Sequence, residues 1–367
     1  MAIRTVTDAI RYVGADDNTL ALFENQYPVQ PMGVSYNSYV ILDEKIAVMD
    51  SVDARATEEW LSNVARVLEG RRPDYLVVTH MEPDHSGSLM RLAQKYPEMK
   101  IVGNAKTFTL IKQFFGTGAL SEDRMLEVGE RDTLSLGLHR LRFLLAPMVH
   151  WPEVMTAYEE TEKILFSADA FGRFGSLERT ARAPWVPQAR RYYYNIIGKY
   201  GAQVQALLKK ISALEIKTIC PLHGPMLTED LGEYLRLYDL WSQWKPEEPE
   251  GILIAHASIH GNTAYASEAL KSKLKGKGAQ VTILHPYRLI SLAYLQMFCS
   301  SCVGSSLLLH LCQFICKSNL RFSKIMYNFI VIASGMDSTI GHALQHFAEE
   351  LRIFNSCAPF YRSNFTL

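Results

Sequence analysis

Thr79-His80-Met81-Glu82-Pro83-Asp84-His85 puts four side chains able to bind metal or move protons into six consecutive positions, directly after the apolar run Tyr75-Leu-Val-Val-Thr79. A loop at the C-terminal end of a buried strand is where a rigid scaffold places chemical groups. Carboxylates and imidazoles beside such a strand are costly to bury unpaired, so the cluster is hard to explain as packing. Three further segments repeat the arrangement. The apolar run Leu141–Ala146 leads to His150, Lys163–Ser167 leads to Asp169, and Ile216–Cys220 leads to His223. In layered α/β folds such strand ends gather at one edge of the sheets, so these residues are expected to line one cavity. Any one of these histidines alone reads as a surface or satisfied core residue. Together, His80, His150 and His223 with Glu82, Asp84 and Asp169 form a thiolate-free ligand set suited to iron, manganese or zinc and sufficient for two ions sharing a bridge.

Around these loops the pattern alternates strand and helix. Ser38-Tyr-Val-Ile-Leu-Asp-Glu-Lys-Ile-Ala-Val-Met-Asp50 reads as a hairpin, Glu59–Leu68 and Ser88–Tyr96 as helices, and Arg190–Leu214 as an amphipathic helical stretch. The three tyrosines Tyr192, Tyr193 and Tyr194 read equally as cavity lining or helix packing. Lys245-Pro-Glu-Glu-Pro-Glu-Gly251 has linker composition, which divides the chain into residues 1–250 and 251–367. Beyond it the strand Ile252–Ala257, the turn Ser258–Thr263, a helix through Lys275 and the strand Gln280–Leu284 predict an open parallel α/β sheet.

Composition narrows the function. The 367 residues allow two domains with substantial cores, and 38 basic against 38 acidic residues with no long run of one sign argue against a nucleic-acid binder. The N-terminal stretch lacks a basic n-region and an apolar h-region, which leads to the expectation of a cytoplasmic protein without disulfides.

His80-Met-Glu82-Pro-Asp84-His85 resembles the H-x-H-x-D-H motif of the metallo-β-lactamase fold, with Glu82 where the zinc hydrolases carry their second histidine. With Met148-Val-His150-Trp-Pro, Leu165-Phe-Ser-Ala-Asp169-Ala-Phe-Gly and Cys220-Pro-Leu-His223-Gly-Pro, the chain resembles the flavodiiron proteins over roughly residues 30 to 290. The resemblance implies a metallo-β-lactamase-like αββα sandwich followed by a flavodoxin-like doubly wound parallel sheet, the latter divergent from about residue 289. It implies two irons, one held by His80, Glu82 and His150, the other by Asp84 and His223, with Asp169 bridging and His85 beside the metals without ligating. An added carboxylate favours the higher oxidation state of a redox metal, which a zinc hydrolase has no use for. The implied activity is reduction of dioxygen to water, of nitric oxide to nitrous oxide, or both, with electrons delivered through FMN from rubredoxin or a similar donor. A head-to-tail homodimer is implied too. The alternative is a zinc-dependent hydrolase of the same fold.

Ser258-Ile259-His260-Gly261-Asn262-Thr263 resembles the flavodoxin phosphate loop, where hydroxyls and backbone N–H groups hold the FMN phosphate at a helix N-terminus. Without that resemblance the same residues read as an ordinary helix cap. The stretch Leu289–Cys316 departs from the pattern: its 28 residues contain no Lys, Arg, Asp or Glu, but do contain Cys299, Cys302, His310, Cys312 and Cys316. It admits three readings: a membrane helix, against which its polar residues argue; a cysteine metal site, whose spacing matches no established pattern; and a divergent or truncated end, which is preferred. Phe329–Ser334 and His342–Ile353 are expected to be the sheet's later strand and helix, although Gly335–Thr339 lacks the aromatic of a flavin-flanking loop.

Overall fold

The computed structural model describes residues 4–256, 260–284 and 330–334. Ser258, Ile259, the cysteine-bearing stretch 289–316, the loop 335–339 and the helix expected over 342–353 lie outside the described residues. The chain divides into two compact units, Met1–Lys245 and Pro246–Leu367.

The first unit is built on two sheets. One runs in the order Arg4–Thr5, Ile10–Tyr12, Tyr39–Ile41, Ala47–Met49, Tyr75–Val77, Lys100–Gly103, Met125–Glu127. Its first four strands pair antiparallel, Tyr39–Ile41 and Ala47–Met49 forming the hairpin expected around the Asp-Glu-Lys turn, and the rest pair parallel. The other sheet runs Thr133–Ser135, Arg140–Leu145, Met155–Glu159, Ile164–Phe166, Thr218–Cys220, antiparallel until its last, parallel pair. Side chains alternate along a strand, and both faces are covered here. Ala47, Met49, Val77, Phe143, Ala157 and Phe166 meet between the sheets. Val48, Leu76, Ile101, Leu144 and Leu165 point outward into a second core built with helix residues such as Trp60, Val64 and Leu207. The layers are those of an αββα sandwich.

The helix Thr57–Leu68 buries Trp60, Leu61, Val64, Val67 and Leu68, an i, i+1, i+4, i+7, i+8 stripe, and stops where Glu69 enters the left-handed region at φ 49°. The helix Ala105–Phe115 is capped by Asn104, whose side-chain oxygen accepts from the Lys106 and Thr107 amides. The stretch Arg190–Leu214 is not one helix. Trp185–Tyr192 passes through a π turn at Tyr193–Ile197 and a 3-10 turn at Gly198–Tyr200 before Gly201–Ile211 resumes. The Gly201 Cα approaches the Ser242 carbonyl so closely that an added Cβ would lie 2.3 Å from its oxygen, a contact that periodicity cannot reveal.

In the second unit Ile252–His256 pairs parallel with Val281–Leu284 and antiparallel with Ile330–Ser334, and the helix Asn262–Lys275 connects the parallel pair. The sheet is therefore mixed where the sequence predicts parallel strands throughout; antiparallel edges are common on such sheets. Among the described residues, no helix is long and apolar enough to cross a membrane.

Trp60 is fully buried and its indole N–H donates to Ser38 Oγ at 3.0 Å, while that hydroxyl donates to the Asp50 carbonyl. Trp60→Ala is expected to lower stability by about 3–5 kcal/mol, since the cavity cannot close around a two-sheet scaffold. Urea unfolding of the two proteins measures it.

Candidate metal centre

His80 and Glu82 leave the strand Tyr75–Val77, His150 lies in the turn between Arg140–Leu145 and Met155–Glu159, Asp169 follows Ile164–Phe166, and His223 follows Thr218–Cys220. Both sheets thus contribute to one edge. Pro83 starts the short helix Pro83–Ser86, which turns Asp84 and His85 back toward that edge.

Seven side chains meet there in two groups, His80, Glu82, His150 and Asp169 in one and Asp84, His85 and His223 in the other. In the first, His150 Nε2 lies 3.0 Å from Glu82 Oε2 and 3.1 Å from Asp169 Oδ2, and His80 Nε2 lies 3.2 Å from Glu82 Oε2. In the second, His85 and His223 each place Nε2 3.3 Å from Asp84 Oδ2. Asp169 faces both groups: Oδ2 toward His80 and His150, Oδ1 toward His85 at 3.4 Å and His223 at 3.9 Å. The two nitrogens His85 Nε2 and His223 Nε2 stand 3.0 Å apart.

The far side of each ring fixes its near side. His80 Nδ1 donates to Glu153 Oε1 at 2.9 Å and His223 Nδ1 donates to the Ser35 carbonyl at 2.7 Å, so the neutral rings direct the Nε2 lone pair into the cluster. Both oxygens of Asp84 and Asp169 Oδ1 are buried without a hydrogen-bond donor. Buried carboxylate oxygens without donors, facing imidazole lone pairs, are the arrangement a cation completes. The residues fit a pair of metal ions.

Without metal, protons do the compensating. Burial alone would lower the His150 imidazolium, but hydrogen bonds to Asp169 and Glu82 outweigh it and hold it up at about 9. His80 is likewise pushed well above the usual histidine range: burial opposes the shift, and the Asp169 charge with bonds to Asp169, Glu153 and Glu82 overcomes it. Asp169 moves the other way, well below the ordinary carboxylate range; burial resists, and the His80 charge with the close approach of the His150, His80 and His85 imidazoles prevails.

A profile of the ODP family beta lactamase matches residues 34–224, just over half of the chain. The chain belongs to that family. Its relatives include flavodiiron proteins. The nitric oxide reductase of Moorella thermoacetica is 28% identical over 285 residues, covering 76% of this chain and 70% of that protein. The solved flavodiiron protein of Giardia intestinalis has a TM-score of 0.67 at 28% identity, covering 78% of this chain and 70% of that one. The rubredoxin oxygen:oxidoreductase of Desulfovibrio gigas gives 0.67 at 27%, covering 78% and 72%. The chain spans 71% of the length of a Methanocaldococcus jannaschii relative and 44% of that of a diflavin flavoprotein from Nostoc.

The structure adds residues that the motif reading passed over. Glu153 is buried and accepts from the Met81 amide at 2.8 Å as well as from His80. Asp50, held up at about 6 by burial against hydrogen bonds from Thr79, takes the Thr79 amide at 2.6 Å and hydroxyl at 2.7 Å and so anchors the start of the ligand loop. Tyr192, one of the three tyrosines that the sequence leaves between cavity lining and helix packing, is fully buried and packs 5.4 Å from the His223 ring, and the nearby Asp169 charge adds to burial in pushing its phenol upward. Glu24 belongs to an exposed residue at left-handed φ 49°, yet its carboxyl is sheltered beside Glu82; that shelter and the Glu82 charge hold it up at about 7. A single Glu or Asp among many carries no local signal that would select it from the sequence. In the second unit, Gly261 at φ 85° turns the chain into the helix that begins at Asn262; His260 and Asn262 are exposed and Thr263 is buried.

Two outcomes follow from this geometry. Because the folded His150 value of about 9 exceeds the ordinary 6.5, its contribution to metal-free stability is complete below about pH 6.5 and disappears as pH rises through about 9. Urea midpoints of the metal-free protein are expected to fall across that window, and metal binding is expected to release protons and remove the dependence. Glu153→Gln, which keeps the shape but removes the charge behind His80, is expected to weaken metal affinity by about 10–100-fold in competition titrations while leaving the circular dichroism spectrum unchanged.

Proposed function

We propose that the chain is an oxidoreductase reducing dioxygen, nitric oxide or both at a non-haem di-iron centre. The observation that carries this reading is Asp169: one carboxylate with an oxygen turned to each of two imidazole and carboxylate groups. His80, Glu82 and His150 would hold one iron, Asp84 and His223 the other, and Asp169 would bridge. His85 Nε2 lies as near Asp84 Oδ2 as His223 Nε2 does, which supports a position beside the second iron.

An iron pair held by these residues would supply electrons for the reduction of a diatomic substrate. The chain's own residues prepare that pair. Glu153 and the Ser35 carbonyl hold the His80 and His223 rings in the tautomer that ligates, and Asp50 fixes the loop on which His80, Glu82 and Asp84 ride. Tyr36, Phe23 and Tyr192 pack against the His223 ring and keep bulk water away from that side. Glu82 in place of an imidazole adds a negative charge, which favours ferric over ferrous iron and so the release of electrons to the substrate.

FMN as the electron source, rubredoxin or a similar protein as donor, and a homodimer belong to the same proposal. Support comes from the names borne by the relatives and from the strand, Gly261 turn and helix of the second unit, where the amides of Asn262 and Thr263 open a helix N-terminus for a phosphate. The proposed units are residues 1–250 for the di-iron domain and 251–367 for the flavin domain, in the cytoplasm.

Metal analysis of anaerobically purified protein with spectra before and after dithionite tests the reading. Iron in a pair per chain that is reoxidised by oxygen or nitric oxide is the expected result; zinc with esterase activity would overturn it. Asp169→Asn is expected to lose both the pairing of the irons and all turnover, with the fold retained.

A further inference from the structure

Behind the metal centre the helices Trp185–Tyr192 and Leu231–Ser242 and the π turn between Tyr193 and Ile197 bring together six indole and phenol rings: Trp185, Tyr193, Tyr194, Tyr238, Trp241 and Trp244. Aromatic residues are ordinary core material, but phenylalanine and leucine fill space as well, without being readily oxidised. Here the oxidisable rings form a continuous line. Tyr238 Oη accepts from the Phe171 amide at 2.6 Å, and Phe171 is two residues along the chain from Asp169. The Tyr238 ring centroid is 5.6 Å from that of Trp241, Trp241 is 6.2 Å from Tyr194, and Tyr194 is 5.7 Å from Trp244. Tyr238 and Trp241 are buried, whereas Tyr194 and Trp244 are half-buried, so the line runs from the ligand segment to the surface of the first unit. The Tyr193 ring lies 5.0 Å from Tyr238 and 5.4 Å from Trp241, which adds a parallel contact within the line.

We propose that this line is a relay that carries oxidising equivalents out of the metal centre when dioxygen arrives and the normal electron donor is exhausted. The proposal rests on the di-iron reading. Reduction of dioxygen to water takes four electrons and the two ferrous ions supply two, so a centre without a donor is left oxidising beside its own ligands. One electron then passes from the Trp241 indole through the Tyr238 and Phe171 contacts to the centre, leaving an indole radical cation. Trp244 refills Trp241 through Tyr194 and loses its indole proton to solvent. A small thiol or ascorbate returns one electron and one proton to the neutral Trp244 radical and is itself oxidised by one electron. The hole is thereby discharged at the surface, and the imidazole ligands are spared.

The test uses the full-length protein loaded with iron, reduced, freed of excess reductant and mixed with oxygenated buffer. Freeze-quenched electron paramagnetic resonance is expected to show a tryptophan or tyrosine radical, and peptide mass mapping an added oxygen concentrated on Trp244. In Tyr194→Phe, which keeps the ring and its packing, oxidation at Trp244 is expected to drop severalfold and to move to Trp241, Tyr238 or the ligand histidines. In the parent protein, ascorbate is expected to quench the radical without changing the iron content. Protein that binds no iron pair overturns the di-iron reading itself, and the relay with it. Iron-loaded protein that is oxidised by oxygen without any aromatic radical, or with the same damage pattern in Tyr194→Phe, overturns the relay alone.

Discussion

Charge compensation at one sheet edge is the constraint on which the rest depends. Asp84, Asp169 and Glu82 are carried to a place where water is largely excluded, among His80, His85, His150 and His223, and several of their oxygens meet no donor. Isolated ionised groups are not tolerated in such surroundings, so the edge must hold either protons or cations. Metal-free, His80 and His150 take up protons and are held charged; with ions bound, those protons leave and the same lone pairs ligate. The scaffold around the edge is arranged to keep this balance in place.

That arrangement explains why two sheets are needed. A single sheet could offer His80 and Glu82 from the end of Tyr75–Val77, but His150, Asp169 and His223 come from turns of the second sheet. The apolar layer between the sheets, with Phe143, Met155, Phe166 and Tyr39, fixes one set against the other. Close packing makes such a layer stiff, which is what holding donors from distant segments within a few ångströms of a common point demands. Residues outside the ligand set then refine the geometry: Glu153 through His80, Ser35 through His223, and Asn104, whose amide donates to the Glu153 carbonyl at 2.5 Å while its oxygen caps a helix. The same side chain thus ends a helix and braces the metal site.

The π turn at Tyr193–Ile197 shows the opposite logic, a local irregularity in service of the whole. Where the helix passes into this turn, Tyr192 faces His223 while Tyr193 and Tyr194 join the tryptophan cluster. Such turns are frequent at functional sites because they reorient side chains without ending the helix.

Read by itself, the sequence determined the elements and the donor types. The hairpin before Asp50, the buried strand before His80, the helix over Glu59–Leu68 and the linker at residue 245 follow from local periodicity and from proline, and a histidine or carboxylate at a strand's end is legible wherever it stands. Glu82 in the place of a histidine was legible too, since it sits in a short contiguous motif. Only the tertiary structure decided which groups meet. That Asp169 turns one oxygen to each group, that His85 reaches Asp84, that Glu153 backs His80 and that the 190–214 stretch breaks into two helices all depend on contacts between segments far apart in the chain. Periodicity reports the face a residue occupies but not its partner across the core, and partners are what fix a tautomer, hold a charge or align a row of rings.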